Sequence, residues 1–255
     1  MEAHSPWTRY VAIGDSFTEG IGDPEPKSPG GFRGWADRVA EVLSTQTSDF
    51  SYANLAVRGK LIQQISDAQV EPALALGPDL ITISAGGNNI LRPGSDPDLV
   101  AEKLDGMVEK LRTDDATVLL FTGPDIASTP VLGRVRGKAA IFNENVRAVA
   151  LRQGAIIADM WALKELADPR MWATDRLHLS PIGHNTVARM VLRTLGVPNE
   201  LKPWQPEPMP AIPWRQARAE DLVWARTHFA PWIVRRLRGK SSGDNVEPKR
   251  PTFTS

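Results

Sequence analysis

Residues 9–20 read Arg9-Tyr10-Val11-Ala12-Ile13-Gly14-Asp15-Ser16-Phe17-Thr18-Glu19-Gly20. An unbroken apolar run that stops at Gly-Asp-Ser is the pattern of a buried strand ending in a tight turn. Such a turn presents a hydroxyl at the edge of a sheet, and Gly14 allows backbone angles that other residues avoid.

Four more runs of this type follow, at Phe50–Leu55, Asp79–Ser84, Thr117–Phe121 and Ala155–Ala158. Segments of helical spacing separate them. Trp35, Val39, Val42 and Leu43 mark one; Leu61–Leu76, despite Pro72, Leu99–Leu111, Ala139–Leu151 and Pro181–Leu195 are the others. Five apolar strands alternating with helices predict an α/β layer fold with a five-stranded parallel sheet and helices on both faces. Ligands of such sheets bind at the carboxyl ends of the strands.

The composition shifts after Val197. Six prolines fall between Pro198 and Pro213, which predicts a semi-rigid linker. Trp214–Phe229 reads as an amphipathic helix, with Pro231 expected to break it. The polar stretch Arg238–Ser255 is expected to be disordered. The chain therefore divides into a catalytic domain, 1–197, and a Trp/Arg-rich helical extension with a polar tail, 198–255. From Leu201 onward ten basic residues face five acidic ones, a net charge of +5, with Trp204, Trp214, Trp224 and Trp232 among them. The plain reading packs the tryptophans on the catalytic domain. The sharper one makes Pro231–Lys240 a peripheral contact to an anionic surface such as a membrane or nucleic acid.

Over the whole chain, Lys plus Arg and Asp plus Glu balance at 30 each, so no global field attracts nucleic acid, and none is expected as a partner. Cysteine is absent, which excludes disulfides, thiolate metal sites and a cysteine nucleophile. Met1–Tyr10 lacks the basic and apolar regions of a secretory signal, and no apolar run approaches the ~18 residues of a spanning helix. The expected location is the cytoplasm.

A serine hydroxyl needs a base before it attacks. Of the four histidines, His4 lies near the terminus, His228 in the extension, and His184 inside a predicted helix, where packing or capping suits it best. His178 follows Asp175 by three residues. That spacing lets a carboxylate hold the Nδ1 proton and leaves Nε2 for Ser16. Gly59 and Asn88, each after a strand, could donate hydrogen bonds to an oxyanion. Each of these residues also has a plainer reading: Ser16 as a helix cap, Asp175 as a turn former, His178 as a loop histidine, Gly59 as a turn residue, Asn88 as a left-handed or capping residue.

Four segments in order, Gly14-Asp15-Ser16, Asn54-Leu55-Ala56-Val57-Arg58-Gly59, Gly86-Gly87-Asn88-Asn89 and Asp175-Arg176-Leu177-His178, resemble the SGNH hydrolases, the GDSL esterase/lipase family. The resemblance covers residues 8–197. It implies a three-layer α/β/α, flavodoxin-like fold and a serine esterase without metal or cofactor. In it Ser16 is the nucleophile, His178 the base and then the acid, and Asp175 the orienting carboxylate. The oxyanion donors are the backbone N–H groups of Ser16 and Gly59 and the side-chain amide of Asn88. One position departs: the family usually has Asp where this chain has Asn89, which keeps an acceptor and loses the charge. The Gly-x-Ser-x-Gly elbow of α/β-hydrolases is absent.

Other readings compete. Asp175, His178 and His184 could ligate zinc, but Ser16, Gly59 and Asn88 would then have no role. A phosphate-binding first loop lacks Gly-Lys-Ser/Thr. A non-catalytic scaffold acting through the extension has no need of a triad. An acyltransferase or thioesterase would share the same acyl-serine. The short polar loops Pro24–Gly34, Arg92–Asp98 and Asp125–Arg136 favour a small acyl group such as acetyl, on a small-molecule, carbohydrate or lipid ester.

Overall fold

The computed structural model describes residues 7–127, 129, 132–208, 214–231 and 241–254. The five expected strands are present as β1 (Arg9–Gly14), β2 (Ser51–Asn54), β3 (Leu80–Ser84), β4 (Thr117–Phe121) and β5 (Ile156–Ala158). A sixth, β6 (Arg250–Thr254), joins them in the order β5-β4-β3-β1-β2-β6. All neighbouring pairs are parallel except β2 and β6, which are antiparallel.

The helices are α1 (Ser16–Glu19), α2 (Gly34–Ser44), α3 (Ile62–Ala75), α4 (Gly87–Ile90), α5 (Pro97–Leu111), α6 (Arg136–Gln153), α7 (Pro181–Thr194) and α8 (Trp214–Trp224). They make a three-layer sandwich. Strand β1 is buried on both faces, which is why it reads as a continuous apolar run. Its Tyr10 and Ala12 pack with Trp35, Val39 and Leu43 of α2 and Val187 and Val191 of α7. Its Val11 and Ile13 face the opposite way, onto Ile65 of α3, Leu104 and Val108 of α5 and Val146 of α6. Ser180 caps α7, accepting from the Gly183 N–H at 3.3 Å, with Pro181 at the first helical position.

The chain leaves β1 toward β2 on one side and then crosses back to β3 on the other. The crevice outside the ends of β1 and β3 is thus the topological switch point, where sheets of this kind bind ligands.

The C-terminus corrects the expectation of a disordered tail. Residues 250–254 pair with the edge of β2, Asn54 opposite Arg250 and Tyr52 opposite Thr254. Lys249 is nearly buried and pairs with the buried Asp37 of α2 at 2.5 Å. Burial raises the Asp37 pKa and lowers that of Lys249, each against its partner's charge. The sheet therefore has six strands where five were expected. Residues 198–208 of the proline-rich segment run along the body, with Trp204 packed against the core and under the Arg170 guanidinium at 4.8 Å. Residues 232–240, which hold Trp232 and most of the expected surface-contact segment, lie outside the described residues, as does His4.

Candidate active site

Ser16 is the first residue of α1, directly beyond β1. The turn before it is held from inside the protein. Gln69, buried on α3, accepts from the Gly14 N–H at 2.8 Å and donates to the Gly14 carbonyl at 2.9 Å. A side chain at Gly14 would collide with the Ser84 carbonyl and the Thr18 hydroxyl. Asp15 caps α1 by accepting from the Phe17 N–H.

His178 Nε2 lies 3.0 Å from Ser16 Oγ, across 162 positions of sequence. Its Nδ1 is 2.6 Å from Asp175 Oδ2, and Asp175 Oδ1 accepts from the Leu177 and His178 N–H groups at 3.0 Å each. Burial pushes the Asp175 carboxyl up, but the His178 hydrogen bond and charge with the two N–H groups outweigh it and hold the pKa at about 2. An ionised carboxylate only accepts, so Nδ1 carries the proton of the neutral imidazole. The Nε2 lone pair then faces the Ser16 O–H.

Gly59 adopts φ +74°, a left-handed conformation that favours glycine. The turn before it is anchored by the buried Glu19, which accepts from the Arg58 N–H at 2.7 Å and pairs with its guanidinium. The fully buried Asn54 braces the same turn, donating to the Thr18 carbonyl and accepting from the Ala56 N–H. Asn88 lies on α4, where its Nδ2 donates to Asp15 Oδ2 at 2.8 Å and to the Lys60 carbonyl at 3.1 Å. Asn89 keeps the acceptor role its departure left it: Oδ1 takes the Ile62 N–H at 3.0 Å and ties this loop to the start of α3.

Ser16, Gly59, Asn88, Asp175 and His178 all line one cleft of about 400 Å³. His184 is elsewhere. It is fully buried, with Nδ1 accepting from the Trp35 N–H at 3.1 Å and Nε2 donating to the Ile21 carbonyl at 3.1 Å. That is a packing role, as expected, and it leaves the zinc reading without its third ligand.

The cleft corrects two of the three loop assignments; residues 125–136 do line it, through Ile126, Thr129 and Leu132. No residue of 24–34 lines it, and only Arg92 does so from 92–98. Its lining is largely apolar: Phe17, Ile21, Phe121, Ile126, Leu132, Phe142, Met160 and Trp172.

Sequence reading missed Gln69, Glu19 and Asn143. Asn143 of α6 grips Gly123 after β4 as Gln69 grips Gly14, through N–H and carbonyl at 2.7 and 3.0 Å. A polar residue inside an amphipathic helix looks like a solvated one. For Gln69 and Asn143 the signal available was their place on the apolar face of the helix.

The sequence profile of the GDSL-like lipase/acylhydrolase family matches residues 12–186. The chain belongs to this family. The uncharacterized protein YpmR of Bacillus subtilis (strain 168) is 30% identical over 102 residues, 36% of this chain and 37% of that protein's length. Among solved structures, TesA superposes with a TM-score of 0.60 at 23% identity, over 73% of this chain and 97% of its own. Axe2, an acetylxylan esterase from Geobacillus stearothermophilus, gives 0.60 at 20% identity over 78% and 98%. At these identities the likeness is one of fold. The GDSL match ends before the linker, so β6 and α8 lie outside it.

Proposed function

We propose that this GDSL hydrolase cleaves carboxylic esters through an acyl-enzyme on Ser16, with His178 as base and then acid and Asp175 as the orienting carboxylate. The observation that carries the reading is the unbroken chain Asp175 Oδ2, His178 Nδ1, His178 Nε2, Ser16 Oγ, at 2.6 and 3.0 Å. Ser16 Oγ attacks the acyl carbon while its proton passes to Nε2. The tetrahedral oxyanion is held by the N–H groups of Ser16 and Gly59 and by Asn88. Collapse breaks the bond to the alcohol, which takes the proton from the imidazolium. Water then attacks the acyl-Ser16 by the same route in reverse and releases the acid.

The acyl group we propose is larger than the acetyl suggested by the loops. An apolar cleft of about 400 Å³ has room for a chain of several carbons and offers few polar groups to a sugar. The cysteine-free composition supports the cytoplasm as the place of action. Among the described residues no helix is long and apolar enough to cross a membrane.

Intact-mass measurement after a fluorophosphonate tests the mechanism. Ser16 displaces fluoride from phosphorus, so wild type gains one phosphonyl group and Ser16→Ala gains none. Equal labelling of the two would end the reading. For the acyl group, kcat/KM on p-nitrophenyl octanoate should exceed that on the acetate; the reverse order restores the acetyl expectation.

A further inference from the structure

The first of the two residues between the triad carboxylate and the triad imidazole is held in an uncommon conformation. Arg176 has φ +55°, and among the described residues only it and Asn245 are non-glycine residues with positive φ. Left-handed backbone at a residue with a Cβ persists only where the surroundings hold it. Within its own turn, Arg176 has one backbone hydrogen bond, from its N–H to the Ala173 carbonyl. The loop around it is tied further by the Asp175 carboxylate, which accepts from the Leu177 and His178 N–H groups, and by the Ala173 N–H on the His178 carbonyl; α8, some 45 residues later, adds contacts from outside the loop.

The Trp224 indole N–H donates to the Asp175 carbonyl at 2.9 Å. The Trp224 ring lies under the Arg176 guanidinium, 5.3 Å from its Cζ to the centroid, and Asp221 pairs with that guanidinium at 2.5 Å. One turn of α8 thus grips the peptide that precedes the strained residue and the end of its side chain. Neither Asp221 nor Trp224 lines the cleft, whereas Asp175, Arg176 and His178 do. The returning chain supports the opposite rim: Ser241 and Ser242 line the cleft beside Gly59, at a distance that leaves no space for a side chain on that glycine.

We propose that α8 is a clamp on the catalytic loop, and that Trp224 and Asp221 are positioning residues that keep Asp175 aligned with His178 by holding Arg176 in its left-handed conformation. The proposal rests on the triad reading of Asp175 and His178. Without the clamp, Arg176 relaxes and rotates the Asp175 peptide. The carboxylate then meets the imidazole less often in the geometry that proton transfer to Nε2 requires. Trp224 and Asp221 do not line the cleft and reach it only through Arg176, so their loss acts on turnover more than on substrate binding.

Trp224→Phe keeps the ring and removes the N–H. It should lower kcat, and the rate of fluorophosphonate labelling, roughly tenfold, with KM unchanged within about twofold. Asp221→Asn, at a half-exposed carboxylate, should lower kcat by a smaller factor, about threefold, with an unchanged thermal midpoint. Arg176→Gly removes the strain, so the further loss caused by Trp224→Phe on that background should fall to less than about twofold. Wild-type kcat in both Trp224→Phe and Asp221→Asn overturns the proposal, and so does an equal loss from Trp224→Phe on the Arg176 and Gly backgrounds. A wild-type protein that takes no label defeats the triad reading itself; one that labels at the same rate as Trp224→Phe defeats only the clamp.

Discussion

The carboxamide nitrogen of Asn88 donates to the Asp15 carboxylate at 2.8 Å, and its second hydrogen goes to the Lys60 carbonyl at 3.1 Å. Both amide hydrogens of Asn88 are therefore occupied in the resting protein. Asp15 fixes the amide beside Ser16, and the longer bond to Lys60 is the one that can be exchanged for the substrate oxygen. Asn88→Ala should lower kcat about 100- to 1000-fold with little change in KM. Asp15→Asn, which keeps the shape and loses the charge, should cost about tenfold. Wild-type turnover in Asn88→Ala, measured on any p-nitrophenyl ester, would remove Asn88 from the oxyanion hole.

Gln69 satisfies both backbone groups of Gly14 from within the core. In Gln69→Leu the N–H loses its buried acceptor, at roughly 1–3 kcal/mol, while the carbonyl keeps only the longer bond from the Val57 N–H at 3.3 Å. The denaturation midpoint should drop accordingly, and kcat should drop with it, since Gly14 sets the direction in which the chain enters Asp15-Ser16. A midpoint equal to that of wild type would show that the turn holds itself.

His184 gives a pH-dependent stability. Its Nδ1 must keep a lone pair for the Trp35 N–H, and burial is the main cause that lowers its pKa to about 4. The unfolded chain, with a pKa near 6.5, then binds the proton more readily than the folded one. Stability from this group is complete above pH ~6.5 and is lost as pH falls toward about 4, on the order of 3 kcal/mol in all. In urea titrations between pH 4 and 7.5, His184→Asn should show a shallower slope than wild type. Parallel slopes would contradict the assignment.

Lys249 balances Asp37 in a buried pair, so Lys249→Met should destabilise by about 3–5 kcal/mol. Burial already raises the Asp37 pKa, and removing the cation raises it further. The loss should therefore be greatest at neutral pH and should shrink as the pH falls and Asp37 takes up a proton. Thermal midpoints of the variant at pH 5 and pH 8, each against wild type, measure this. A loss that is equal at both values would mean that Asp37 is solvated. The same pair makes removal of residues 200–255 a stability test as much as a test of surface binding, because β6 and Lys249 leave with the extension.

Strands β1, β3 and β4 could be read from the sequence because strands buried on both faces are largely apolar, and a continuous apolar run is local information. The pairing of Asp175 with His178 was equally local, since three residues span one turn of chain. Strand β6 was not legible. Arg250-Pro251-Thr252-Phe253-Thr254 is half polar and carries a proline, as an edge strand can, and it becomes a strand only because the β2 edge offers it partners. The meeting of Ser16 with His178, the grip of Gln69 on Gly14 and the docking of Trp224 on Asp175 likewise belong to the tertiary structure. Each joins groups 49 to 162 residues apart through a polar contact. A buried polar side chain has the same letter as a solvated one, so only the packed fold reveals which it is.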